Sequence, residues 1–242
     1  MRLLKIAIRA FNKLIRSSRF FTPTRIVVLS YLLVILVGAM LLSTPLASRD
    51  GSSMPFLTSL FTATSATCVT GLVLVDTYQA WSMFGKTVIL ILIQIGGLGF
   101  MSVMALFFFL MHKHFKLSHR LVMIQTLSLE NLSGVLRIMK RILYGTLLCE
   151  GIGAIILAVR FSFDFGILKG IGMGVFHSVS AFCNAGFDLM GIREPFSSLT
   201  DYAFDPVVNF TIMALIIVGG IGFFVWSDVL DSKGYKNLKV HS

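Results

Sequence analysis

The sequence predicts an all-α membrane protein: two helix–pore-loop–helix repeats, giving four transmembrane helices and two re-entrant half-helices, with both termini cytoplasmic. Three observations carry that prediction. The chain is 56% hydrophobic and 13% charged, with a mean hydropathy of +0.87, outside the range of ordinary soluble domains. Four apolar stretches are long enough to cross a hydrocarbon core, which takes about 20 helical residues. A short polar segment also occurs twice, 115 residues apart: Ser65-Ala66-Thr67-Cys68-Val69-Thr70-Gly71 and Ser180-Ala181-Phe182-Cys183-Asn184-Ala185-Gly186.

Taken in order, residues 1–24 form a basic segment. Residues 25–111 hold the first repeat: a span near Arg25–Ser43, a half-helix near Met54–Thr67 that is too short to cross, and a second span near Met83–Met111. The second span exceeds the required length, which tilt or extension beyond the bilayer accommodates. Residues 112–139 alternate polar and apolar positions, with Leu121, Ile124, Leu127, Leu129 and Leu132 suiting an amphipathic surface helix. Residues 140–227 repeat the order, with spans near Lys140–Phe161 and Val207–Ser227 around a half-helix near Gly170–Phe182. Residues 228–242 are a tail. The basic start followed by Ser43-Thr44-Pro45-Leu46-Ala47-Ser48 also reads as a cleavable leader, but the repeat needs Arg25–Ser43 as its first helix.

Charge sets the orientation. Of 21 Lys and Arg, 16 lie before the first span, between the second and third, or after the fourth. By the positive-inside rule those segments are cytoplasmic. The net charge of +10 also raises nucleic-acid binding, yet the basic residues flank spans instead of forming one patch, so no nucleic-acid partner is expected. His112, His114 and His119 invite a metal reading, which the neighbouring Lys113, Lys116 and Arg120 would oppose by repulsion. Cys68, Cys149 and Cys183 show neither metal spacing nor a disulfide framework.

Each repeat also carries a glycine cluster, Ile95-Gly96-Gly97-Leu98-Gly99-Phe100 and Val218-Gly219-Gly220-Ile221-Gly222-Phe223. Glycines cost a helix about 1 kcal/mol each relative to alanine. In a membrane they let backbones approach closely, so each cluster reads as a packing seam or as a flexible segment beside the permeation path.

The repeated loops have the chemistry of a cation site. A dehydrated cation needs oxygens in place of its lost waters, and backbone carbonyls supply them without full charges. A half-helix ending toward the bilayer centre favours a cation at its C-terminus. Gly71 and Gly186 permit the positive φ such a loop requires. Irregular backbone at this depth is tolerated only where protein buries it or where it lines a cavity; a hairpin that merely packs between helices is the plainer alternative.

At these residues the chain resembles the membrane subunit of the Trk/Ktr/HKT potassium-transporter superfamily, closest to the bacterial Ktr type. Thr67-Cys68-Val69-Thr70-Gly71-Leu72, Gln94-Ile95-Gly96-Gly97-Leu98-Gly99-Phe100 and Ser180 through Asp188 carry the resemblance, which runs through almost the whole sequence. It implies potassium uptake through a filter of Thr67, Cys68, Val69, Thr70, Gly71, Cys183, Asn184, Ala185 and Gly186, with K+ held by backbone carbonyls. Within the superfamily, glycines at these places go with potassium preference, and the resemblance separately implies sodium as a stimulating or accompanying ion, which nothing in these residues decides. No covalent cofactor is implied. The resemblance further implies a cytoplasmic nucleotide-binding regulatory ring subunit as partner, beside membrane lipid. Family members carry four units, and two are present here. A complete pore would then take a homodimer or a complementing half-transporter; the alternative is a truncated, non-conducting fragment or interaction module that associates with full-length relatives.

Single residues complete the reading. Asp76 and Asp188 follow the loops and are candidates for an external vestibule or for capping. Glu150, a carboxylate inside a span, assists cation passage, or is protonated, or pairs with a polar group on a neighbouring helix. Gln94 is expected to bond across helices, and His177 to hydrogen-bond within the protein. No catalytic constellation accompanies them, so an enzyme is not expected.

Overall fold

A computed structural model describes residues 23–99, 135–221 and 225. The basic segment through residue 22, the amphipathic connector up to residue 134 with its three histidines, residues 100–111 of the second span, Gly222 and Phe223, and the 228–242 tail lie outside the described residues.

Seven helices and two short 3-10 turns make up the described structure: α1 (Pro23–Leu42), α2 (Phe56–Thr67), α3 (Thr77–Ala80), α4 (Met83–Leu98), α5 (Val135–Phe165), α6 (Ile167–Phe182) and α7 (Pro206–Gly220), with 3-10 turns at Met190–Ile192 and Thr200–Tyr202. Among the described residues there is no strand, only an isolated bridge between Ser48 and Trp81. The Arg141–Phe165 part of α5, 25 residues, is long and apolar enough to cross a membrane; the apolar helices Val27–Leu42, Met83–Leu98, Ile167–Phe182 and Pro206–Gly220 are shorter.

Local chemistry sets the boundaries. Pro55 precedes α2, so the half-helix begins at Phe56 and runs 12 residues, about 18 Å. Gly166, at φ 83°, reverses the chain between α5 and α6 and lets α6 start at Ile167, three residues ahead of the sequence expectation. Ser82 caps α4 by accepting from the Gly85 N–H, and Asp205 caps α7 with Pro206 in the first turn.

Small residues bring the helices together. A Cβ on Gly174 would fall against the Ala154 carbonyl and Ala158, and one on Gly170 against Ser162, so α6 runs close along α5 on a small-residue stripe. The two repeats superpose in their contacts. Gly38 of α1 receives the Leu92 side chain of α4, and Gly153 of α5 receives Leu215 of α7 in the same way. The first long helices and pore loops correspond at an interval of 115, the second long helices at 123.

Buried Ile89, Ile93, Leu157, Phe161 and Val208 fill the centre, with Trp81 closing one end. Outward, α1, α5 and α7 expose large apolar side chains, among them Leu33, Ile155, Phe163, Phe210 and Ile217. Contiguous apolar exposure of this kind suits hydrocarbon and not water.

Candidate functional site

Both half-helices end in the same turn. After α2, the N–H groups of Cys68, Val69 and Thr70 donate to the carbonyls of Thr64, Ala66 and Ser65. After α6, those of Cys183, Asn184 and Ala185 donate to Val179, Ala181 and Ser180. The dihedrals match as well: Val69 and Asn184 both sit at φ 58°, and Gly71 and Gly186 both at φ 73°. Thr70 and Ala185, between them, are not in the positive-φ region. Asparagine and glycine adopt that conformation readily, whereas a β-branched valine there is a true outlier.

The loops meet. A Cβ on Gly71 would lie 2.5 Å from the Ala185 carbonyl oxygen and 3.2 Å from the Gly186 Cα. Their flanks differ: Cys183 and Ala185 are buried, while Cys68 and Thr70 in the matching places are exposed. The first unit covers the second loop, whereas no described residue covers the first loop in the same manner.

Glycine seats hold each loop from behind. A Cβ on Gly96 would run into the Thr67 carbonyl oxygen, and one on Gly219 into that of Phe182, so each unit's second long helix touches backbone at the end of its own half-helix. Gly97 faces the Cys183 side chain of the other unit, while the nearest atom to a Cβ on Gly220 would be Asn184 Nδ2, at 3.7 Å. Of the two readings of these clusters, Gly96, Gly97 and Gly219 are packed seams.

Side chains stiffen the turns differently. The Ser65 and Thr70 hydroxyls lie 2.9 Å apart, whereas the Ser180 hydroxyl donates to the Phe187 carbonyl at 2.6 Å. His177 is 2% exposed; its Nε2 accepts from the Leu189 N–H at 3.2 Å, which leaves Nδ1–H to donate to the Met173 carbonyl at 2.7 Å. Gln94 bonds across helices, its Nε2 donating to both carboxylate oxygens of Glu150 at 2.9 and 3.3 Å.

Asp76 caps α3, and Asp188 closes a local turn. Asp76 Oδ1 accepts from Tyr78 and Gln79 N–H, and its Oδ2 accepts from the Phe196 N–H of the second unit at 2.8 Å. Asp188 Oδ1 accepts from the Met190 N–H. An adjoining network went unread in the sequence: Arg160 pairs with Asp205 at 2.5 Å and Asp164 at 2.9 Å, and the Tyr202 hydroxyl donates to Asp164 at 2.7 Å. Burial, and then the bond to Asp164, push the Tyr202 hydroxyl well above its usual pKa. Burial alone would raise the Asp205 carboxyl, but the Val208 N–H and the Arg160 guanidinium outweigh it and hold it below the ordinary carboxylate value. Among the described residues, no group of three or more His, Cys, Asp or Glu is placed to hold a metal ion.

Apolar helices around two polar loops that meet at glycines, as the described residues form, have the make-up of a membrane transport protein. Residues 8–242 match the TrkH cation transport protein family, and the chain belongs to that family. It is 42% identical to the potassium/sodium uptake protein NtpJ of Enterococcus hirae over 94% of this chain and 49% of that protein. It is 38% identical to Ktr system potassium uptake protein B of Bacillus subtilis, over 96% of this chain and 50% of that protein, and 38% identical to the Vibrio alginolyticus protein of the same name, over 90% and 47%. The chain spans about half the length of the curated relatives it matches.

Proposed function

We propose that the two loops are half of the selectivity filter of a potassium-uptake pore, with Thr67–Gly71 and Cys183–Gly186 lending backbone carbonyls to the ion. The observation that carries this reading is the paired geometry: two loops of matching dihedrals, with glycines at the same φ, meeting at Gly71 and Ala185. Residues of alternating handedness turn successive peptide groups toward a common side, which is what replacing a hydration shell requires. In this reading α2 and α6 re-enter the membrane from outside and the basic segments lie in the cytoplasm. The inward-negative potential drives the cation, at about 2.3 kcal/mol per charge per 100 mV. The relatives' names support K+ as the cargo, with Na+ accompanying or stimulating.

The remaining half of the ring comes from a further pair of units, either a second copy of this chain or a complementing half-transporter. The exposed flank of Cys68 and Thr70, and the open side of Gly220, support that arrangement. The apolar faces of α1, α5 and α7 take lipid, and a nucleotide-binding ring subunit docks on the basic cytoplasmic segments.

Rubidium uptake in potassium-uptake-deficient cells expressing only this chain tests the reading, with Gly71→Asp as control. Uptake abolished by the substitution supports a pore made from copies of the chain. No uptake despite membrane insertion supports the second reading, a non-conducting module that associates with full-length relatives; its half-ring geometry is the observation in its favour.

A further inference from the structure

Glu150 lies on α5 and is 6% exposed. Three elements converge on it. From α4 of the first unit, Gln94 Nε2 donates to both carboxylate oxygens. From α6, the Ser178 hydroxyl donates to the Glu150 backbone carbonyl at 2.7 Å. From the second loop, Cys183 Sγ lies 4.0 Å from Glu150 Oε1. Gln94 and Gly97 stand three residues apart on one face of α4, and Gly97 is the glycine against which Cys183 packs. One carboxylate therefore joins the helix of one unit to the filter-forming loop of the other.

The internal repeat shows what this pair is for. By the interval of 115 that matches Gly38 to Gly153, Ile35 takes the place of Glu150; by the interval of 123 that matches Leu92 to Leu215, Ile217 takes the place of Gln94. Both units pack their long helices through the same glycine–leucine contact, one with these polar residues and one without. Packing within a unit thus does not need them, and they belong to the joint between units. A buried carboxylate at membrane depth is costly, and an amide donating to it offsets much of that cost in a medium where hydrogen bonds are strong.

We propose that Glu150 is a positioning residue: through Gln94 it locks the second loop against the first unit and fixes Cys183–Gly186 relative to Gly71. This rests on reading the loops as a filter. The test uses the full chain in membrane vesicles, a small methanethiosulfonate reagent, and mass spectrometry to follow Cys68 and Cys183 separately. In the parent chain buried Cys183 reacts slowly, and Cys68 in the same sample serves as the reference rate. Gln94→Leu and Glu150→Leu each accelerate Cys183 about tenfold or more and leave Cys68 unchanged, as expected for local opening after loss of a buried hydrogen bond. Glu150→Gln, which keeps an oxygen for the Gln94 amide, stays within about threefold of the parent by the same measure.

A merely structural contribution would accelerate both cysteines together, and that outcome overturns the proposal, as does an unchanged Cys183 rate in both leucine variants. If the leucine variants fail to insert, Gln94→Met in the same assay decides, with the same two outcomes. Protection of the loop cysteines by rubidium is scored separately in the parent chain. Its absence counts against the filter reading and leaves the labelling comparison standing.

Discussion

The Ala185 carbonyl oxygen stands 2.5 Å from where a Cβ on Gly71 would be, so the loop of one unit occupies the space that any side chain on the other would need. Gly186 is held less tightly, since a Cβ there would have only the Gly71 Cα, at 3.5 Å. Both residues sit at φ 73°. Alanine at either position pays the left-handed penalty of about 1–2 kcal/mol, but only at Gly71 must the facing loop also move. Gly71→Ala is expected to lower the melting temperature and rubidium uptake more than Gly186→Ala, as read by fluorescence-detected size exclusion after heating and by tracer flux.

Val69 occupies the left-handed region at φ 58°, where its counterpart is Asn184. Valine is poorly suited to that conformation and asparagine is well suited. Val69→Asn should therefore stabilise the chain by about 1 kcal/mol, the lower end of the cost of such backbone strain. A midpoint shift in chemical denaturation measures it, and an unchanged or lower midpoint would contradict the strain assignment.

The seats predict a contrast among glycines. Gly96→Ala and Gly219→Ala push a methyl into a backbone carbonyl and should each cost about 1–3 kcal/mol, the usual range for overpacking. At Gly151 no atom of another element lies within 4 Å of where a methyl would sit, so Gly151→Ala should stabilise, by up to about 1 kcal/mol. Thermal stability of the three variants in one detergent makes the comparison.

Asp205 predicts an acid limb. Its carboxyl titrates lower in the folded chain than in the unfolded one. The stability it contributes is therefore fully present above the unfolded value near pH 4 and is lost as pH falls through the lower folded value. Asp205→Asn keeps a capping oxygen for the Val208 N–H but loses the charge facing Arg160, so it should melt lower than the parent at pH 7 by about 1–2 kcal/mol, the worth of that charge-assisted bond. The gap between the two curves should close on acidification; a constant gap from pH 7 to pH 3 would remove Asp205 from this role.

Much of this architecture was legible because repeats announce themselves twice. Ser, Ala, Cys and Gly at matching places located both loops, and Gly96 with Gly219 marked the helices behind them. Legibility failed where a contact depends on distance in space. Nothing in the order of residues ties Gly71 to Ala185, or Asp76 to the Phe196 N–H, which lies 120 residues away. The partner of Glu150 escaped for a similar reason: Gln94 was expected to bond across helices, but its target was not. One missed signal was present, the Gly-Ala pairs at 38–39 and 153–154, which share the 115 interval of the loops. In the Arg160, Asp164, Tyr202 and Asp205 cluster only the Arg160–Asp164 spacing of four was a readable signal, and it was missed; Tyr202 and Asp205 join from other elements with no spacing that announces them.

The interval between the repeats lengthens from 115 at the loops to 123 at the second long helices, and the added residues fall in the stretch carrying both 3-10 turns. Duplicated halves that agree at the backbone of their loops have thus grown apart at their rims. On the proposed filter reading, a toxin or antibody shaped for a rotationally regular mouth meets a lopsided collar, able to grip one side above a near-symmetric pair of loops.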